Sequence, residues 1–409
     1  MSILIKQLCN RKIILSYIAI ICVLGSHSQS WIQVSDFPST ERDDGASFVI
    51  DNTAYCGTGL QVGWSETKDF YAFSMNADTW EPIASLPDGN ERQYASGFSS
   101  STHGFVFGGV KGGVYLSDLW QYDPELNNWV EKSSLPAIGR SGSACFVIDN
   151  VAYIIGGKTN LSDAINEVWA YEITNDTWQQ KNDLPFGSMF RASASANNGK
   201  GYLIFGKDEN NLFYNELYEY DPISDSWTEL GEFPNFGRSH STLSSLPNNL
   251  IVIGGVDVMG DYYNDMWRFN LNLLIWEQLD ALPSFGRKGG ICFNDGTNIY
   301  YTTGISHENV RLKETWKSVN PTAIEDISAT DGISIYPNPT REKLTLEIEN
   351  FSQYDNSYLT IFDYSGKRLR LEAITQSKTQ IDVSELSQGF YFIQIQGVGG
   401  QIAMKFVKQ

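Results

Sequence analysis

Residues 129–142 read "WVEKSSLPAIGRSG", and residues 227–240 read "WTELGEFPNFGRSH". Both open on Trp, reach an apolar residue followed by Pro, and close on Gly-Arg-Ser. The two tryptophans are 98 residues apart, and Trp178 stands midway, opening "WQQKNDLP". Working outward, Trp31, Trp80, Trp129, Trp178, Trp227 and Trp276 follow one another at a constant interval of 49 residues. Self-similarity at such a period marks a chain built from stacked copies of one supersecondary unit.

Other columns keep the same beat. An aromatic lies nine residues before each following tryptophan, at Tyr71, Trp120, Trp169, Tyr218 and Trp267, and Trp316 continues it. A glycine pair or its remnant recurs as "GTG" at 57, "GG" at 108, 156 and 254, "FG" at 205 and "TG" at 303. An arginine recurs at Arg42, Arg92, Arg140, Arg191, Arg238 and Arg287. Within one unit, "SACFVID" and "VAYIIGG" are apolar runs. "EVWAYEI" and "TWQQKND" alternate apolar and polar residues, as half-buried strands do. The links "DN", "TNDT" and "LPFGSMF" are turn chemistry. Each unit therefore predicts four short strands and no helix.

This pattern, over roughly residues 31–319, resembles the kelch repeats that build β-propellers. The resemblance implies an all-β chain in which the glycines end the second strand and the aromatic columns pack between blades. The repeats open on "WIQVSDFP", a fourth strand without its first three, and end on "NIYYTTG" and "ETWKSV", a second and a third strand without a fourth. The expectation is a six-bladed propeller closed by the N-terminal strand, which removes exposed sheet edges.

The ends differ from the repeats. Lys6, Arg11 and Lys12 precede the apolar run "IILSYIAIICVLG", followed by "SHSQS". This is the pattern of a secretory signal peptide, over residues 1–28, too short to span a bilayer as an ordinary helix. Cys22 lies inside the apolar run without a small residue before it, which argues against a lipoprotein cysteine. Cys56, Cys145 and Cys292 remain after its removal, an odd number that is no disulfide framework. The propeller is assigned to residues 29–319 and a polar linker to 320–331. Residues 332–409 lose the period and offer strand-like runs with turns between them, the pattern of a small antiparallel, Ig-like β-sandwich. Its segments "IYPNPT", "DYSGKRL", "LSQGFYFIQI" and "KFVK" resemble the C-terminal sorting domain of the type IX secretion system. That resemblance implies recognition by the secretion machinery, and a mature protein that is secreted or attached to the outer cell surface, with no membrane span.

The chain carries 29 basic and 48 acidic side chains, a formal net charge of -19. Such a balance argues against nucleic acid, whose phosphates need a basic face. Residues 332–409 hold eight of each sign, so the acidity belongs to the propeller.

In a propeller, the loops between blades and the loops between second and third strands share one face. The six arginines are expected to ring the mouth of the channel there, each a planar fork suited to carboxylates. One reading pairs them with acids close in sequence, Glu41, Asp43, Asp44 and Glu91. The other has Arg42, Arg92, Arg140, Arg191, Arg238 and Arg287 bind an anionic ligand, since kelch propellers that this chain resembles hold acidic groups with arginines at this point. Trp64, Tyr115, Phe213, Tyr214, Tyr262 and Tyr263 add aromatics to the face, with Trp64 and Tyr262 as the foremost ligand contacts. His103, His240 and His307 stand at unlike places in their repeats, so no metal centre, cofactor or catalytic set is assigned. The expected function is a glycan- or protein-binding module. The alternatives are an enzyme on an acidic sugar, such as a sialic acid mutarotase using Glu41 with Arg42 or Arg238 with His240, and a scaffold without a small-molecule site.

Overall fold

A computed structural model describes residues 30–319, 333–349, 351, 357–363, 368–397 and 400–409. The signal segment and the linker expected from the sequence lie outside the described residues. No α-helix occurs among the described residues, and none of their elements is a helix able to cross a membrane.

The third repeat shows why the sequence folds this way. Its strands Ala144–Ile148, Val151–Ile155, Val168–Glu172 and Thr177–Gln180 form one antiparallel sheet in chain order. The first strand alternates buried and partly exposed residues, and the second is buried at four of its five residues. The fourth is mostly exposed. A second strand covered on both faces must be continuously apolar, whereas a rim strand keeps polar residues outward.

Six four-stranded sheets of this kind occur among the described residues. In five, the strands follow one another across the sheet in chain order. In the sixth, Ser30–Gln33 pairs with Thr315–Val319, which continues through Ile299–Thr302 to Ile291–Asn294. Its register sets Trp31 opposite Ser318 and Gln33 opposite Trp316. The first strands neighbour one another in the order Ala46–Ile50, Ser96–Ser99, Ala144–Ile148, Ser193–Asn197, Thr242–Leu246, Ile291–Asn294, and the last lies against the first.

The core is a series of wedges between sheets. In one, Phe146, Tyr153, Tyr220 and Trp227 pack together. Five of the six repeat tryptophans meet an aromatic seven residues earlier in a tilted pair: Phe73–Trp80, Tyr122–Trp129, Tyr171–Trp178, Tyr220–Trp227 and Phe269–Trp276, at centroid distances of 4.8 to 5.0 Å. Such pairs add about 0.5–1.5 kcal/mol each beyond their burial. This column escaped the sequence reading, which picked out the one two residues closer to the chain start.

In the C-terminal segment, Ile333–Tyr336, Lys343–Ile348 and Lys378–Asp382 form a three-stranded sheet. Ser357–Asp363, Arg368–Ile374, Gly389–Gly397 and Gly400–Lys408 form a four-stranded one. Leu344, Leu346, Ile361, Ile393 and Phe406 belong to one shared core.

Candidate functional site at the axial mouth

The six arginines divide into five and one. Arg42, Arg92, Arg140, Arg238 and Arg287 are buried. Each pairs with a carboxylate on the third strand of its repeat unit or just before it: Asp69 at 2.7 Å, Asp118 at 2.8 Å, Glu167 at 2.7 Å, Asp265 at 2.6 Å and Glu314 at 2.5 Å. Several of these arginines also donate to loop carbonyls, as Arg42 does to Thr58 and Arg92 to Gly108. The indoles of Trp120, Trp169 and Trp267 donate to the same carboxylates that hold Arg92, Arg140 and Arg238. Burial pushes the carboxyls of Asp69, Glu167 and Glu314 up, and their bonds to arginine together with neighbouring hydroxyl and indole donors more than offset it, so each titrates below its ordinary value. These five guanidinium groups do not converge on the mouth; they clamp the loop between two strands.

The partners also differ from those near in sequence. Glu41 pairs with Lys313, Asp43 with Arg311 and Glu91 with Lys111.

In the fourth repeat the clamp position holds Met189. Its backbone N–H donates to Ile165, as that of Arg140 does to Leu116 and that of Arg287 to Tyr263. Arg191 stands two residues further on, in the column of Asp44, Tyr94, Gly142, His240 and Gly289. All six residues of this column have positive φ, between 56° and 63°. Their backbones form a cycle of hydrogen bonds: Asp44 donates to Gly289, Gly289 to His240, His240 to Arg191, Arg191 to Gly142, Gly142 to Tyr94 and Tyr94 to Asp44. The side chains of this cycle occupy the axis. Arg191 forms an ion pair with Asp44, three repeats away, and its guanidinium lies 4.1 Å from the Tyr94 ring centroid. His240 meets the rings of Tyr94 and Phe190 edge-on, each at 6.2 Å.

Cations gather around this floor. Lys158 and Lys207 directly follow the glycine pair or its remnant in the third and fourth repeats, and Lys288 follows Arg287. Burial, then the charge of Lys158 and, further off, Lys288, holds the Lys207 ammonium below its ordinary range, with Asp163 opposing. Burial and the charges of Arg191, Lys288 and Lys207 hold His240 well below its ordinary value, so its imidazole is neutral at neutral pH. A recess of about 90 Å³ is lined by Lys158, Asp163, Phe190, Lys207, Asp208 and Glu209, among others. Beside it, Tyr115 and the loop from Lys158 to Asp163 line a second. The residue after the glycine pair was the signal in the sequence that would have pointed to Lys158 and Lys207.

Trp64 and Tyr262 lie on this face but apart from the recess. Trp64 is exposed, and its indole covers the Arg311 guanidinium at 4.6 Å. Tyr262 meets His307 edge-on at 5.8 Å and has the Lys288 ammonium 5.3 Å from its centroid. Phe213 lies 5.8 Å from Lys207, whereas Tyr263 packs under Arg238 at 3.8 Å and donates to Asp257. Tyr214 belongs to the interior wedge with Phe146. His103 sits apart from the axis, beside Asp123. The thiols of Cys145 and Cys292 are pushed up to about 12 by burial, which makes them inert at neutral pH.

Repeated four-stranded sheets around an axial cycle, with polar chemistry at one mouth, define a β-propeller. Residues 54–255 match the model of the Attractin/LZTR1 beta-propeller, and residues 334–409 match that of the Secretion system C-terminal sorting domain. The chain is thus a kelch-type propeller joined to a secretion-system sorting domain. Among curated proteins it is 28% identical over 130 residues to Kelch-like protein 35 of Mus musculus, covering 32% of this chain and 21% of that one. It is 31% identical over 120 residues to an N-acetylneuraminate epimerase of Shigella sonnei (strain Ss046), covering 28% of this chain and 31% of that one. The chain thus spans less than half the length of these curated relatives. A solved structure titled "Structure of YjhT" aligns with a TM-score of 0.59 at 19% identity, covering 69% of this chain and 96% of that chain, which is a likeness of fold.

Proposed function

We propose that this is an exported six-bladed propeller whose axial mouth binds an anionic carbohydrate. The carrying observation is the sixth arginine. Five arginines are consumed in buried clamps, while Arg191 is moved to the axis, where it, Lys207 and Lys288 surround His240, in a chain of net charge -19. Cations brought together at the axis of an acidic protein have no use for solubility, but they suit a carboxylate; the adjoining recess pairs Lys158 with Asp163 and adds Lys207. Tyr115, Tyr94 and Phe190 give the same region ring faces on which a sugar can lie. The N-acetylneuraminate named for the curated relatives is a sugar acid of this class.

Six blades, closed by the N-terminal strand, are supported by the pairing of Ser30–Gln33 with Thr315–Val319 and by the axial hydrogen-bond cycle. The division into a cleaved signal at 1–28, a propeller at 29–319, a linker at 320–331 and an Ig-like sorting sandwich at 332–409 belongs to the same reading. The sorting domain implies export, with release or attachment at the cell surface. Deleting residues 332–409 and fractionating the cells tests it; the truncated protein is expected to stay inside the envelope.

Titration of the propeller with N-acetylneuraminate, glucuronate and glucose by calorimetry tests the site. Binding of a sugar acid but not of glucose is expected, with loss in a Lys158→Ala, Lys207→Ala double variant. Equal binding of glucose, or none by any sugar, overturns the reading.

Two further readings have an observation each. A mutarotase is favoured by the epimerase relatives and by the neutral imidazole of His240 at the floor, which can accept a proton from an anomeric hydroxyl. A protein ligand is favoured by the loop tips. Val62, Trp64, Val114, Leu161, Leu212, Met259 and Val310 are exposed, so every second-to-third-strand loop presents a large apolar residue on this face.

A further inference from the structure

The ion pair at the axis differs from the five clamps in joining repeats on opposite sides of the ring. The five clamp arginines reach their carboxylates through hydrogen bonds. Arg191 instead forms its ion pair with Asp44, across the axis. The pair is asymmetric. The Asp44 side chain is 1% exposed and that of Arg191 is 13% exposed, so the carboxylate is the deeper of the two side chains.

The ring is built to let them meet. The two glycines of the axial column lie opposite each other, in the third and sixth repeats. A Cβ on Gly142 would come within 2.6 Å of Arg191 Cδ, and one on Gly289 within 2.5 Å of Asp44 Oδ1. Each glycine clears the space that one partner crosses.

We propose that Asp44 is an internal competitor for the anion site: its carboxylate occupies in the free protein the guanidinium that a ligand carboxylate takes on binding. This rests on the reading of the mouth as an anion site. Lys207 and Lys288 influence the same floor and supply the charge that lets the outer carboxylate win. Asp43, the neighbouring acid, does not fill the role, because Arg311 already holds it at 2.5 Å. The device sets specificity. A neutral sugar gains nothing by displacing Asp44, whereas a carboxylate replaces like with like.

The test is Asp44→Asn in the full chain, titrated with N-acetylneuraminate and with glucose. Asparagine tolerates the positive φ of this position. Asp44→Gly is the second variant, because glycine already fills two of the six ring positions. Apparent affinity scales with the fraction of time the guanidinium is free. Both variants are therefore expected to bind N-acetylneuraminate about tenfold tighter than the unmodified chain, with glucose unchanged. Adding Arg191→Met is expected to abolish the gain. If the unmodified chain binds and both variants bind equally or more weakly while remaining folded by circular dichroism, the competitor role is overturned and the anion site survives. If no form binds, both fall.

Discussion

The indole of Trp31 donates its Nε1 hydrogen to the carbonyl of Asp280 at 3.0 Å. Trp80 makes the equivalent bond to Ser35, Trp129 to Ala84 and Trp178 to Ser133, each reaching back 45 residues to the preceding repeat. Trp31 has no preceding repeat in sequence, so it reaches the far end of the array instead. The bond behaves as though the chain ran on from its last repeat into its first.

Removing Ser30–Gln33 should therefore do more than trim a terminus. It strips the partner from Thr315–Val319 and leaves a free sheet edge. The truncated propeller is expected to melt at least about 5 °C lower and to self-associate. Differential scanning calorimetry with size-exclusion chromatography checks this. An unchanged midpoint and a monomeric profile would show that closure by this strand contributes little.

The buried clamps predict a second result. Arg238→Ala leaves Asp265 partly buried without its bidentate partner, a change of about 3–5 kcal/mol. Urea unfolding of the propeller measures it. A loss below about 1 kcal/mol would mean that the clamp is ornamental to stability, as exposed pairs commonly are.

Gly142 provides a third. Alanine there adds a Cβ 2.4 Å from the Phe190 ring, at a φ of +61°. Gly199→Ala is the control, since it has φ +73° and nothing within 4 Å of the added Cβ. Both carry the left-handed backbone cost of about 1 kcal/mol, but only Gly142→Ala should also weaken sugar-acid binding. Equal effects of the two on affinity would detach Gly142 from the site.

Affinity should also depend on pH through Lys207, whose ammonium burial and its cationic neighbours hold below the ordinary lysine value. An anion stabilises the charged form, so binding takes up a proton and weakens as pH rises through the lowered value. The decline should begin below the usual lysine range of about 10.4 and be absent in Lys207→Met. A decline of the same shape in Lys207→Met would assign the titration elsewhere. His240 contributes no step near 6.5, because it is already neutral there.

Much of the architecture was legible in the residues. The 49-residue interval, the strand lengths and the missing fourth strand at one end all follow from local backbone preference and the alternation of apolar side chains, which neighbours in sequence determine. The site was legible only in part. The spacing 140 to 191 to 238 already carries the two-residue slip of Arg191, but its meaning depends on what stands at Met189 and across the axis. Proximity in sequence offers Glu41 and Glu91 as partners of the arginines. The actual partners lie 26 or 27 residues away, because antiparallel pairing brings the third strand, and not the adjacent turn, against the loop. What the sequence by itself determined is the repeated unit, since that unit is written in short-range pattern. Which arginines become clamps, which one reaches the axis and which lysines gather around it were decided by the tertiary structure, since those choices depend on side chains from distant repeats that meet only once the sheets pack together.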